Sequence, residues 1–411
     1  MEGSVAKALQ THPSVDAAQA ALDNARQKKR EERSGYYPEI SVNATGGRIF
    51  GDNSTTRGLV TSRGEAYSYL WEGGISARQM IFDGFATGNR LDAAKARKMA
   101  AEQTVEDIMG TLTFSTTQSY IDLLRAEKVL TIIRAQKAQA EDYHTRIEDA
   151  LNDGASDEAE LQQAKEVLLL LNGFLIEYEG QKLAALSQYI ELTGAAPETD
   201  LDNPVPDMSL KFEDVDDAVA HAKAHHPSIA AAKLSAKSAL FEIDVEKAAL
   251  YPNVNGELSY FEADKREEIG GEIVDAKAVV RANWNFETGQ GQYARIAQRQ
   301  ASRQEALARM SEIEKQIERG VRLAYAEYDT SVKLLQNEME KTKLAQDLYD
   351  TYQIQFEGGV VRVLNLMQAD NQFFSARLAQ TNAAHRALLA EYALLASIGR
   401  LNEAIALAER F

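Results

Sequence analysis

The sequence of 411 residues contains no cysteine and only 7 prolines. Without cysteine it forms no disulfide bonds, no thiolate zinc site and no cysteine nucleophile. The prolines leave two stretches, 39–196 and 253–411, free of this residue. Because a proline costs a helix interior about 3 kcal/mol, both stretches can form very long helices. They are rich in Ala, Gln, Glu, Leu, Lys and Arg, which favour helix formation.

Basic charge and long apolar runs are also scarce. The chain has 62 acidic and 45 basic residues and a net charge of −17, which lacks the basic footprint that nucleic acid requires. Apolar runs such as 167–171 are far shorter than the roughly 20 residues of a membrane-spanning helix. Residues 1–4 show no secretory signal, so we expect a processed or recombinant form that has lost one.

Sequence motifs for catalysis and cofactor binding are absent. The chain has no phosphate-binding P-loop, no G-x-S-x-G nucleophile motif and no H-E-x-x-H zinc motif. His221 and His225 lie one helical turn apart, next to His226, but they fall short of a three-ligand zinc site. We therefore predict that the protein is not an enzyme and binds no cofactor or metal.

The two halves of the chain carry the same proline motifs at matching positions. HPS occurs at 12–14 and 226–228, and Tyr-Pro occurs at 37–38 and 251–252, in each case 214 residues apart. Proline suits the first position of a helix and disfavours helix in the residue before it. We expect a short helix to end before each HPS, and a second helix to run from its proline to the Tyr-Pro pair.

Alternating apolar and polar residues follow each Tyr-Pro pair, at 40–45 and 254–260, and predict a strand. The loops and second strands that we predict next are 46–64 and 67–82 in the first half, and 264–271 and 276–286 in the second. An uninterrupted helix of about 100 Å is expected over 85–151. Glycines at 154 and 358–359 predict tight reversals, and the returning helices should end at Gly194 and Gly399.

The predicted fold is mainly α with a small β part, duplicated as repeats 1–206 and 207–411. Four strands are too few for a sandwich, and a lone hairpin is marginally stable in water. A sheet in lipid must close on itself, and barrels start at about eight strands. A membrane location would therefore require several chains. The aromatic residues expected on single strand faces, as at bilayer interfaces, are Tyr67, Tyr69 and Trp71 in the first half and Trp284 and Phe286 in the second.

The lipid-facing side of the second strand in each half stays open. Aligning Phe82 with Phe286 gives an offset of 204 residues, whereas aligning Ile75 with Val280 gives 205. One residue of slip exchanges the two faces of a strand.

The residues resemble the TolC-like family of outer-membrane channel-tunnel proteins. The resemblance rests on HPS with Tyr-Pro, on IFDGFATGNR at 81–90, on GVVRVLNLMQA at 359–369, and on their order and duplication. The FDGFATG segment is similar to members that serve type I secretion. The resemblance implies an outer-membrane homotrimer whose twelve strands form one transmembrane β-barrel, and whose long helices form an α-barrel across the periplasm.

The same resemblance implies a function and partners. The trimer would be the passive exit duct of a tripartite export system, for type I protein secretion or drug efflux. Its partners would be a periplasmic adaptor, an inner-membrane transporter and outer-membrane lipid. The alternative is a soluble, duplicated coiled-coil scaffold or adaptor whose hairpins are dimer contacts, which would need no detergent.

In this family the helix reversals lie at the periplasmic end, where the tunnel narrows and the adaptor docks. The corresponding tip residues are Asp153, Gly154, Ala155, Ser156, Gly358, Gly359, Val360 and Val361. The corresponding constriction residues are Glu160, Gln163, Arg362, Asn365, Gln368 and Asp370. The alternative for the glycines is that they only satisfy turn geometry.

The constriction departs from the family pattern in its charge. Family members often carry acidic residues six and nine positions after the second reversal glycine, where this chain has the neutral Asn365 and Gln368. We therefore expect no carboxylate ring there. We hypothesise that Glu160 and Arg362 form a link that helps to hold the entrance closed. The alternative is a solvated surface pair, which contributes about 0–1 kcal/mol.

Overall fold

A computed structural model describes residues 1–52, 65–197, 201–264 and 272–405. The same order of elements occurs twice. The first series is α1 (Glu2–Thr11), α2 (Pro13–Ser34), β1 (Glu39–Asp52), β2 (Glu65–Phe82), α3 (Ala86–Asn152) and α4 (Glu158–Thr193). The second series is α5 (Val215–His225), α6 (Pro227–Lys247), β3 (Asn253–Asp264), β4 (Glu272–Asn283), α7 (Gly291–Glu357) and α8 (Val363–Ser397), followed by α9 (Leu401–Ala404).

The helices lie where the proline and glycine pattern predicts them. Helices α3 and α7 each contain 67 residues, or about 100 Å at 1.5 Å per residue. Gly194 and Gly399 follow the returning helices with φ of 77° and 80°. None of the helices within the described ranges combines the length and the apolar composition that a bilayer crossing requires.

The histidine of each HPS segment caps the helix that its proline begins. His12 Nδ1 accepts a hydrogen bond from the Ser14 backbone N–H at 3.2 Å, and His226 Nδ1 accepts one from the Ser228 N–H, also at 3.2 Å. A free N–H near a helix start needs such an acceptor. Each HPS segment therefore ends one helix and caps the start of the next.

The four strands form one antiparallel sheet in the order β1-β2-β3-β4. Strand β1 extends to Asp52, so the loop predicted from Gly46 is wrong over Gly46–Asp52. Within the predicted loops, residues 53–64 and 265–271 lie outside the described residues. The side chains of Tyr67 and Tyr69 also lie outside the described part of the chain.

Strand β4 ends at Asn283, so the placement of Trp284 and Phe286 on a strand face is wrong. Both residues lie in the segment that leads from β4 to α7. The Trp284 indole N–H donates to the Leu250 carbonyl at 3.1 Å, which ties the chain to the short 3-10 turn after α6 and directs it away from the sheet. The two rings contact each other, with centroids 4.7 Å apart.

The pairing register identifies an apolar and a polar face of the sheet. One row of paired residues across the four strands reads Val42, Ile75, Tyr260 and Ala276, and the adjacent row reads Ser41, Ser76, Ser259 and Lys277. Side chains in successive rows point to opposite faces. The apolar row places Val42 and Ile75 on the same face.

A register shift between Met80 and Phe82 accounts for the two possible strand alignments. Such a bulge adds one residue to one strand. Before it, Ile75 lies on the apolar face, as does Val280, which pairs with Gly256. The offset of 205 therefore preserves the faces of the strands.

The chain divides into two compact units, each with segments from both halves. The helical unit comprises Met1–Ala20, Gln103–Ala230 and Ser311–Phe411, and the sheet unit comprises Ala21–Glu102 and Ala231–Met310. The largest buried cluster of the helical unit includes Val5, Ile121, Tyr392, Leu395 and Ile398. The repeat boundary after residue 206 stays a prediction.

Candidate functional site: the two helix reversals

The first reversal, between α3 and α4, is a Schellman motif. Gly154 has a φ of +76°, and its N–H donates to the Leu151 carbonyl at 3.0 Å, while the Ala155 N–H donates to the Ala150 carbonyl at 2.7 Å. This pattern satisfies carbonyls at the helix end and requires a left-handed residue, which favours glycine. Helix α4 then starts with Asp157, whose side chain accepts from the Glu160 N–H at 2.9 Å.

The second reversal, between α7 and α8, repeats the motif. Gly359 has a φ of +70°, its N–H donates to the Phe356 carbonyl at 2.9 Å, and the Val360 N–H donates to the Gln355 carbonyl at 2.8 Å. Asp153, Gly154 and Ala155 in the first tip, and Gly358, Gly359 and Val360 in the second, are exposed, whereas Ser156 and Val361 are half-buried. Turn geometry alone thus accounts for Gly154 and Gly359.

A compact apolar cluster lies directly behind the tips. It includes the buried side chains of Tyr143, Ile147, Leu161, Leu366 and Met367, from α3, α4 and α8. Buried apolar contacts of this kind hold helix ends in place. The tips therefore project from a packed base.

The structure brings Glu160 and Arg362 together across the two reversals. Arg362 Nη1 donates to Glu160 Oε1 at 2.9 Å, and the Ser156 hydroxyl donates to Glu160 Oε2 at 2.5 Å. Glu160 is only 8% exposed, whereas Arg362 is exposed. The hydrogen bond that Arg362 donates to this carboxylate raises the pKa of its guanidinium. One ion pair thus joins the start of α4 to the start of α8.

The three amides at the predicted constriction are exposed, but Asp370 is not. Gln163, Asn365 and Gln368 face solvent in the described chain. Asp370 is 5% exposed and accepts a hydrogen bond from Gln136 Nε2 at 2.8 Å. The carboxyl of Asp370 is therefore buried against α3 within the chain, and its placement at the constriction stays a prediction. Burial raises the pKa of Asp370, although the Gln136 hydrogen bond opposes the increase.

The sequence interpretation missed Gln136, although a signal was present. Buried residues of α3 recur at spacings of four and three, which is the seam of a coiled coil. These seam residues are Val129, Ile133, Gln136, Ala140, Tyr143 and Ile147. Gln136 is the polar member of this series. A polar residue at a seam position calls for a buried partner, and here the partner is Asp370.

Comparisons with known proteins agree with this architecture. The outer membrane efflux protein family model matches residues 5–195 and 218–400. The outer membrane efflux protein BepC of Brucella suis biovar 1 (strain 1330) is 21% identical over 409 residues, covering 98% of this chain and 85% of BepC.

Solved channels share the fold at low identity. The CmeC outer membrane channel of Campylobacter jejuni superposes with a TM-score of 0.84 at 14% identity, covering 97% of this chain and 85% of CmeC. The MtrE outer membrane channel of Neisseria gonorrhoeae gives 0.82 at 16% identity, covering 97% of this chain and 89% of MtrE.

Members of the family are the outer membrane channel components of tripartite efflux systems. This finding supports the channel interpretation and not the soluble scaffold. The chain belongs to the outer membrane efflux protein family, as a transport channel of the outer membrane rather than an enzyme.

Proposed function

We propose that three copies of the chain close one β-barrel and form the passive exit duct of a tripartite export system. The observation that carries this proposal is the open sheet. Among the described residues, β1 and β4 each pair with one strand only. Lipid offers no partner for unpaired backbone groups, so an open edge is not stable there. Three copies would supply twelve strands, enough for a barrel.

The height of the sheet is similar to the thickness of the apolar part of a bilayer. Trp71 and Phe82 pair with Asp264 and Val254, which are ten residues apart on β3. This separation is about 33 Å at 3.3 Å per residue. A strand tilt of about 35–45° reduces it to about 23–27 Å, close to the apolar band of known barrels.

An unpartnered coiled-coil seam on α4 supports association of the helical units. Leu169, Ile176, Leu183 and Ile190 recur every seven residues, and all are exposed, Ile176 by 73%. Beyond the neighbouring backbone of α4 itself, a Cβ atom added at Gly173 or Gly180 would meet no atom of the described residues within 4 Å. Large apolar residues at heptad spacing are the seam of a helix pair. We assign this seam to a contact with a neighbouring copy.

The reversals would form the periplasmic entrance of the duct. The exposed tips are positioned for a periplasmic adaptor, which would couple the channel to an inner-membrane transporter. Gln163, Asn365 and Gln368 would supply uncharged side chains to the constriction. The Glu160–Arg362 pair joins the two reversals, so it would act as a closing link.

Disulfide cross-linking tests the closed sheet, and the absence of native cysteine makes the test clean. Val42→Cys in β1 is combined in turn with a cysteine at each position of β4. We expect oxidation of some pairs to give covalent dimers and trimers and nothing larger. Ile75→Cys with Tyr260→Cys is the matched control, because these residues pair within one chain. Monomers throughout, with the control pair oxidised, would exclude the barrel.

Single-channel conductance tests the closing link. Arg362→Ala removes the cation from the Glu160 pair and should raise the open fraction of the channel. Arg134→Ala breaks an exposed pair with Glu179 at 3.1 Å, elsewhere on α3 and α4, and serves as the control. Equal conductance for both variants and the parent would show that the pair does not hold the entrance closed and is only a surface ion pair.

A further inference from the structure

A cleft in the sheet unit lies at the end of the sheet from which the helices lead away. It has a volume of about 570 Å³, within the range of ligand pockets, roughly 300–1,000 Å³. Asn253, the first residue of β3, and Asn283, the last of β4, pair with each other and line it. If the barrel is closed as proposed, this end of the sheet emerges from the periplasmic leaflet.

Exposed aromatic rings surround this cleft. Tyr251, Trp284, Phe286 and Tyr293 line it, and each is more than half exposed. Outside the lining, Phe85 follows the end of β2 by three residues and is 67% exposed, although its φ of +70° is a strained conformation for a bulky residue. Aromatic rings at this density are characteristic of the membrane–water interface.

Arg90 contributes to the cleft a positive charge that is not paired with an acidic residue in the part of the chain that the structure describes. Within the described ranges, no hydrogen bond or ion pair joins its guanidinium to another residue. It also lines a smaller neighbouring cavity with Glu32, Glu242 and Glu246. Those carboxylates already have cations: Lys28 for Glu32, and Arg299 for the other two. Arg90 is therefore available to a phosphate, which a guanidinium binds strongly.

The overall charge of the lining is balanced. The lining contains two cationic residues, Arg90 and Arg295, and two acidic residues, Asp83 and Glu287, so its formal charge is zero. Asp83 caps α3 by accepting from the Thr87 N–H at 2.7 Å, and Glu287 pairs with Arg295 at 2.5 Å. A neutral lining favours a zwitterion over an anion. Arg295 pairs with Oε1 of Glu287 only, so Oε2 of this carboxylate and the adjacent indole of Trp284 can both attract an ammonium group.

We infer that this cleft binds the head group of a zwitterionic phospholipid with a primary ammonium, with phosphate on Arg90 and ammonium near Glu287 and Trp284. The acyl chains would leave the cleft along the apolar face of the sheet. This inference rests on the proposed barrel, which brings this end of the sheet to a membrane surface. It makes the cleft a lipid site that fixes the depth of the channel in the bilayer.

Fluorescence quenching tests the site, because the chain has only two tryptophans. Trp71→Phe leaves Trp284 as the reporter inside the cleft. The purified full-length chain in detergent is titrated with phosphatidylethanolamine brominated on its acyl chains, and with brominated phosphatidylglycerol. We expect saturable quenching with a several-fold preference for phosphatidylethanolamine. Arg90→Gln should weaken it about tenfold, as loss of one charge-assisted hydrogen bond does.

Two further variants make the result specific. Arg309→Gln removes the same charge from an exposed site of α7 outside the cleft and should leave quenching unchanged. Glu287→Gln should abolish the preference for phosphatidylethanolamine over phosphatidylglycerol. Equal quenching by both lipids, or quenching in the Arg90→Gln variant as strong as in the parent, would overturn the inference. Light scattering on the same samples separates this failure from that of the barrel, because a trimer without selective lipid binding overturns only the lipid site.

Discussion

The buried Asp370–Gln136 hydrogen bond gives a prediction with opposite signs for two substitutions. Burial raises the pKa of Asp370, so the folded protein holds this proton more tightly than the unfolded chain. The stability that protonation contributes is complete below the ordinary pKa of 3.8 and is lost as pH rises through the higher folded value. At neutral pH the buried carboxylate therefore weakens the fold.

Asp370→Asn keeps the side-chain shape and an acceptor for Gln136 Nε2, but removes the charge. We expect it to stabilise the protein at neutral pH, because burial favours the neutral form of this side chain and the amide carries no charge to bury. At about pH 3–4 the gain should vanish. Asp370→Ala should instead destabilise the protein by about 1–3 kcal/mol, because Gln136 is only 7% exposed and would lose its acceptor.

The assay is reversible denaturant unfolding in detergent across this pH range, followed by circular dichroism. Asp347→Asn on the exposed surface of α7 is the control, and it should leave the unfolding free energy unchanged at every pH. A stabilisation by Asp370→Asn that did not change with pH, or a loss of stability at neutral pH, would refute the reasoning.

Three further predictions follow from single contacts. Ile176→Glu places a charge in the exposed α4 seam and should convert trimers to monomers without loss of helix content. Light scattering with circular dichroism would show both effects; intact trimers would mean that the seam is not part of the subunit contact. Burial lowers the pKa of His226, so the protein should lose stability as the pH drops below about 6.5. His226→Asn keeps an acceptor for the helix cap, and it should reduce this loss when melting is measured at several pH values. Asp157→Ala removes the cap of α4 and should cost about 1 kcal/mol in chemical unfolding; a neutral result would mean that water replaces the cap.

Proline and glycine determined most of what the sequence could predict. Pro13 and Pro227 fix helix starts because their rings exclude the preceding residue from helix, and Gly154 and Gly359 mark the two reversals because their φ is positive. These are local effects, so they can be identified without tertiary contacts. The Glu160–Arg362 contact could be hypothesised because both residues closely follow a reversal, at positions that the family resemblance assigns to the constriction.

Features that depend on long-range contacts were harder to predict. Strand β1 continues through Gly46 and Gly47 because β2 pairs with it over its full length, although glycine disfavours strands locally. Trp284 leaves the sheet because its indole finds an acceptor on Leu250, which is distant in sequence. Asp370 is buried because its α8 position faces Gln136. In each case a distant partner overrides the local pattern.

The central claim is that the sheet of one chain is an incomplete part of a barrel that three chains close. The most direct measurement is the mass of the native particle in detergent, by native mass spectrometry or light scattering corrected for bound detergent. The account predicts three copies of the 45.4 kDa chain in a single species that dissociates only on heating. A stable single-chain particle that needs no detergent would contradict it.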